Sequence, residues 1–160
     1  MKLLIDTNVF HKIFNPKHAD FEHFATPHRC LFDCKGCMVI GGSTFREEIY
    51  REQDEKGRPN NLRRYLRFLL ELRKINSLTV LDEKAVDAQE RRIKALEPSP
   101  DFDDPHIVAC TIIGKVQVIC TDDKRSDKFV LDKKFYPKGA KRPKIYRDKR
   151  NVHLFNPCFR

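Results

Sequence analysis

No apolar run in this 160-residue chain approaches the roughly 20 residues that a membrane-spanning helix requires. No secretory leader is expected either: "KLLI" is too short for an h-region, and Asp6 follows it at once. The expected location is therefore cytoplasmic, with no membrane partner. There is no internal repeat and no low-complexity tract. Apolar content of 40% and charged content of 34% suit a soluble globular protein rather than a disordered tail. The chain reads as one domain over 1–160, able to bury a core without staples.

A second Cys-x-x-Cys pair is also lacking, and this limits what six cysteines imply. "HRCLFDCKGC" places Cys30 and Cys34 on one helix face and Cys37 beyond a Lys35-Gly36 turn, with His23 and His28 nearby. A fourth ligand would complete a zinc site, and the spacing also occurs in iron–sulfur enzymes. Cys110, Cys120 and Cys158 sit singly in apolar contexts. The reading preferred for all six is free cysteine as a small hydrophobe in a reducing compartment.

What the sequence does have is segregated charge. Residues 124–150 hold twelve Lys or Arg against three Asp, which accounts for the whole net charge of +9. Clustered cations favour a polyanion through counterion release. Lys133, Lys134, Lys138, Lys141, Arg142 and Lys144 are the candidate nucleic-acid contacts. Phe135, Tyr136 and Tyr146 in the same segment either stack on unpaired bases or belong to the core.

Hydrophobic patterning predicts alternating strands and helices. Strands are expected at Lys2–Asp6, at "CMVI", at "LTVL" and at "VQVIC", with a terminal one at "NVHLF". Helical turns are expected from Asn8 to Phe14, then a mixed helical segment interrupted by Pro27 and closed by Gly36 as C-cap. Ser43 caps a helix over 43–56, with Phe45, Ile49 and Tyr50 inward, and "GRPN" breaks it. The next helix, 61–75, carries a stripe of Leu62, Tyr65, Leu66, Leu69 and Leu72. Helices over 82–97 and 105–114 follow. Near-continuous apolar strands separated by helices predict a three-layer α/β/α sandwich around a mainly parallel sheet.

In such sheets the ligand crevice lies beyond the carboxyl ends of the strands. Asp6 ends the first strand, and Asp122 and Asp123 follow "VQVIC" directly. Glu47 and Glu48 lie about one turn into the helix after the second strand, and Asp104 opens the helix at Pro105. Each has an ordinary explanation: turn residue, helical surface charge, N-cap before a Pro. Four placements at one sheet edge argue for a shared cation instead. Hard carboxylate oxygens suit Mg²⁺ or Mn²⁺, which promote hydrolysis of phosphoryl esters. His106 is expected on the helix surface, outside the catalytic set.

"LLIDTNVF", "FREEI", "DPHIVAC" and "ICTDD" resemble, in order and spacing, the four acidic motifs of the PIN-domain family of metal-dependent ribonucleases. The resemblance runs from Lys2 to about Phe129. It implies Asp6, Glu48, Asp104 and Asp123 as metal-holding catalytic residues, with Asn8 and Thr121 supporting them. Glu48 fits better than Glu47 because an aliphatic residue follows it. Asp122 and Asp127 are candidates to supplement Asp123. Pro105 stands where the family has a small residue, and the aromatic Phe129 comes several positions late.

The expected function is an endoribonuclease acting on RNA, and the alternative is a catalytically silent RNA-binding or assembly module on the same fold. A toxin paired with an antitoxin, or a homodimer, also follows by analogy with the family. A DNA flap nuclease would need further carboxylates and a helical arch, for which the sequence offers nothing.

Overall fold

Lys2–Ile5, Cys37–Ile40, Leu78–Val80 and Val118–Cys120 form strands β1 to β4, and a fifth, β5, arises at Lys144–Tyr146 within the basic segment. The computed structural model describes residues 1–51 and 60–159. All five strands pair in parallel, in the order β3-β2-β1-β4-β5. Leu3, Leu4 and Ile5 of β1 are fully buried, as a central strand covered on both faces requires.

The connecting helices are α1 (Phe10–Phe14), α2 (Phe21–Phe32), α3 (Ser43–Arg51), α4 (Asn60–Lys74), α5 (Glu83–Leu96), α6 (Pro105–Gly114) and α7 (Asp127–Val130). One set packs α1 against α2 and α4, with a 3-10 segment at Lys149–Cys158 lying on α2; the other packs α3, α5 and α6 together. The result is a three-layer α/β/α sandwich. Among the described residues, no helix is long and apolar enough to cross a membrane.

Pro27 does not interrupt its helix. It lies inside α2, and its missing N–H leaves the His23 carbonyl without an intrahelical donor. The Tyr146 hydroxyl from β5 donates to that carbonyl instead, at 2.7 Å. The sheet's edge strand thus supplies the bond that proline removes.

Gly36 is not the C-cap of α2, which ends at Asp33. Its role is close approach: a Cβ there would sit 2.4 Å from the Cys30 carbonyl oxygen. Ser43 begins α3 rather than capping it, and its N–H donates to Asp87 at 2.8 Å. Gly42 precedes it at φ +84°, where a Cβ would also strike Val86.

Tyr50 faces solvent, whereas Phe45 and Ile49 are buried as expected. The rest of the helix expected to Lys56, and the break at 57–59, lie outside the described residues. On α4 the inward stripe uses Tyr65, Phe68 and Leu72, while Leu66 is exposed. "NVHLF" is not a strand: Asp148 accepts the Arg150 N–H and starts 3-10 turns that bury Phe155 against Tyr146. The six cysteines do not all stand apart: Cys30 and Cys158 face each other with Cα atoms 6.2 Å apart, within reach of a disulfide. Cys37 Sγ lies 3.0 Å from Thr79 Oγ1, and among the described residues Cys30, Cys34 and Cys37 form no group of converging ligand atoms.

Candidate metal centre

Successive strands move outward from β1 to β2 and β3, then return to the other side of β1 with β4 and β5. The gap above β1 and β4 is therefore a topological switch point, where open α/β sheets bind ligands. Ile5 pairs with Cys120, and the Asp6 N–H continues the ladder to the Cys120 carbonyl at 2.9 Å. This sets Asp6 beside Thr121.

Asp6 is buried and fully engaged. Its Oδ2 accepts from Thr121 Oγ1 at 2.6 Å and from Asn8 Nδ2 at 2.9 Å, and Oδ1 accepts from the Asn8 N–H at 3.4 Å. The last bond caps the 3-10 turn Thr7–Val9, so Asp6 performs turn chemistry as well as lining the site. Thr121 Oγ1 also accepts the Asp123 N–H at 3.0 Å, and Asn8 Oδ1 accepts the Asp122 N–H at 3.4 Å. Asn8 and Thr121 thereby fix the β1 and β4 loops in one register.

Asp104 occupies the N-cap position of α6 with Pro105 behind it, yet its carboxylate makes no capping bond. That leaves both oxygens available. Glu48 comes in from α3, accepting from Thr7 Oγ1 at 3.3 Å. Glu48, Asp104 and His106 each offer a ligand atom within 4.8 Å of the others, and Asp103, Asp104 and Asp123 form a second such trio. Asp104 is common to both. Asp6 belongs to neither trio but lines the same concavity of about 420 Å³, with Asp122 and Arg125 at its rim.

His106 is fully buried, contrary to its expected surface position. Its Nε2 lies 3.3 Å from Glu48 Oε2, off the angle for a good hydrogen bond, and Nδ1 has no hydrogen-bond partner among the described residues. A signal for this burial lay in the sequence: "IVACTII" gives α6 no polar face, and such a helix is covered all round. Asp103, exposed in the loop before α6, was not singled out by spacing. Glu47 is exposed and does not line the concavity.

Crowding raises the proton affinity of the carboxylates. Burial lifts the pKa of Asp6 above its usual value, against the Thr121 bond. Asp104 is pushed up to about 7, by burial first and then by the Asp6 charge. For His106 burial acts to lower the pKa, but Glu48 and then Asp104 outweigh it and hold the ring above the ordinary imidazole value. Asp123 behaves oppositely: although burial opposes it, bonds from the Arg125 N–H at 2.9 Å and Nε at 3.2 Å keep its pKa low.

The two supplementary acids have other partners. Asp122 pairs with Lys12, and Asp127 pairs with Arg147. Arg147, just past β5, also donates to the carbonyls of Thr121 at 3.1 Å and Asp123 at 3.0 Å. It braces the loop that carries Asp123, and nothing in its sequence context marked it.

The other basic candidates divide. Lys134 pairs with Glu97, and Lys133 is exposed beside it on the 3-10 turn after α7. Lys141, Arg142 and Lys144 line a different cleft, described below, and Lys138 is on the same loop. Of the aromatic residues, Phe135 stacks on Phe102 in the core and Tyr146 is fully buried, so neither offers a face to a base. Tyr136 is half-buried and donates to the Val130 carbonyl at 2.6 Å.

The donor set fits a hard divalent cation. The two trios offer carboxylate oxygens and one imidazole nitrogen, their shared member Asp104 is uncapped, and burial makes Asp104 and the neighbouring Asp6 hold protons more tightly than usual. Among protein-family models, curated proteins and solved structures, none matches this chain.

Proposed function

We propose that the chain is a metal-dependent endoribonuclease of the PIN-domain type, hydrolysing RNA phosphodiester bonds at the carboxyl end of β1 and β4. The observation that carries this reading is Asp104, a half-buried carboxylate shared by two ligand trios and free of any capping bond. Asp104, Glu48 and Asp123 would hold Mg²⁺ or Mn²⁺. When bound, the cation supplies an acidified water and neutralises charge building on the phosphate.

The chain's own groups do the rest. Asp6, clamped by Thr121 and Asn8, sets the floor of the site and its negative charge. His106 acts as a positioning residue that steadies Glu48 from inside the core. Thr121 orients Asp6 with its hydroxyl and Asp123 with its oxygen lone pair. Arg125 leans on Asp123 and sits at the rim, where a phosphate oxygen would meet its guanidinium.

The test is cleavage of labelled single-stranded RNA, structured RNA and DNA with Mn²⁺, Mg²⁺ or chelator, comparing the native protein with Asp104→Asn. Metal-dependent cutting of RNA that is lost in the variant supports the nuclease. Salt-sensitive RNA binding without cutting, unchanged by the substitution, supports the silent module instead.

A further inference from the structure

At the opposite end of the sheet lies a second cleft, of about 650 Å³. Val118 and Lys144, which open β4 and β5 and pair in register, both line it. It is thus separated from the acidic loops by the three residues of β4, about 10 Å at 3.3 Å per residue. Its floor is apolar, built from Ile112, Val116, Leu154 and the half-buried ring of Tyr136. Its rim is cationic: Lys115, Lys141, Arg142 and Lys144.

None of these four cations has a carboxylate partner among the described residues. Arg142 is held in place by a 2.9 Å bond to the Leu131 carbonyl. Lys115 adopts a left-handed conformation, φ 53°, at the end of α6, where glycine would be less strained. The loop before β5 turns tightly at Gly139, φ +82°, with the Ala140 N–H on the Pro137 carbonyl, which carries Lys141 and Arg142 to the rim.

An apolar floor with an uncompensated cationic rim matches a flat ring joined to a phosphate. The volume falls within the range of small-ligand sites. We propose that this cleft is a second binding site, for a nucleotide, with its phosphate on Lys115, Lys141 and Lys144 and its base against Ile112, Val116 and Tyr136. The nucleotide comes either as a free monophosphate or as a unit of single-stranded RNA held away from the cutting site. The second source rests on the ribonuclease reading; the first does not.

Binding to the full chain in chelator separates these outcomes, because no strand is cut. The probes are a fluorescein-labelled single-stranded RNA 12-mer and adenosine monophosphate. The variants are Lys141→Glu with Lys144→Glu, and Lys115→Gly, which relieves the left-handed strain and keeps the fold. Arg91→Glu with Arg92→Glu on α5, outside the cleft, matches the first variant in charge.

The proposal expects cleft variants to bind RNA about tenfold or more weakly, with a shallower salt dependence, by about 0.7 in log–log slope for each phosphate no longer held. The α5 control stays near the native affinity. Loss of the monophosphate alone identifies the free nucleotide, loss of RNA alone the chain-borne one, and loss of both either form. Unchanged binding of both probes, or equal weakening by the α5 control, overturns the site. Cutting with Mn²⁺ is scored separately: cleavage with an indifferent cleft removes this proposal and leaves the nuclease, and the reverse result removes the nuclease and leaves the cleft.

Discussion

The two ends of the sheet handle charge in opposite ways. At the carboxyl end, acids outnumber their neighbours and cations are paired: Arg125 with Asp123 at 3.2 Å and Asp103 at 3.7 Å, Lys12 with Asp122, Arg147 with Asp127. At the amino end, Lys115, Lys141 and Lys144 ring an apolar cleft without a carboxylate partner among the described residues. Arg125 and Arg147 of the first set and Lys141 and Lys144 of the second come from the same basic segment. A charge run in sequence therefore marks a region, and the fold decides which of its cations neutralise the protein's own acids and which remain for a ligand.

The largest expected effect breaks the comparison at its acidic end. Asp104→Asn keeps the shape but removes the carboxylate shared by both trios. Metal-dependent RNA cleavage falls by about a hundredfold or more, which asks about 2.7 kcal/mol of the transition state. RNA affinity in chelator stays level, because the amino-end cleft is untouched. Cleavage within threefold of native would remove Asp104 from the site.

Proton uptake provides the next test. Asp104 rises from its ordinary 3.8 to about 7 in the folded protein. The folded state therefore binds its proton more tightly than the unfolded chain. Its contribution to stability declines as pH rises from about 4 to about 7. Asp6 shifts in the same direction. Asp123 shifts the other way, so its contribution is present above its ordinary 3.8 and fades as pH falls through its lower folded value.

In thermal melts across pH without divalent cation, Asp104→Asn flattens the decline between pH 4 and 7 and raises Tm at pH 7.5 or above, about 2–4 °C for each kcal/mol relieved. Millimolar Mg²⁺ raises the native protein's Tm at that pH and leaves the variant's nearly unchanged. A pH profile identical for the two proteins would mean that Asp104 is not under strain from its neighbours.

Arg147 tests whether the basic segment supports the acidic end from behind. Its guanidinium holds two carbonyls and Asp127, a fork that an ammonium does not reproduce. Arg147→Lys is expected to weaken Mn²⁺ binding about tenfold, as loss of an outer-shell partner does. Isothermal titration with Mn²⁺ reads this directly, and no change would reduce Arg147 to a surface pair.

How much of this was legible follows physical lines. The strand-end acids stood out because apolar runs stop abruptly at Asp6 and Thr121, and because Asp104 precedes a proline that opens an apolar helix. The parallel sheet followed from strands without polar alternation. β5 was hidden: three residues between Pro143 and Arg147, charged at its first position, look like more of the basic run. Pro27 misled because a helix-breaking residue was judged without the partner that repairs it, and Tyr146 lies 119 residues further along the chain. His106 is hard to place from sequence because a lone polar residue implies solvent, whereas α6 is buried continuously from Pro105 to Thr111.

The smallest effects sharpen the comparison most finely, cation against cation. Lys128 sits 3.7 Å from Asp101 in an exposed pair, whereas Lys141 has no such partner among the described residues. Neutralising either to Met removes one positive charge from the same segment. Exposed pairs contribute about 0–1 kcal/mol, so Lys128→Met shifts stability only slightly, and Lys141→Met less still. Their RNA affinities separate the two ends. Lys128→Met leaves the salt slope as it was, because a cation already beside a carboxylate releases few counterions to a phosphate. Lys141→Met lowers the slope by about 0.7. Equal slopes would mean that RNA responds to the net charge of the segment alone, and that the division of its cations by the fold has no consequence for binding.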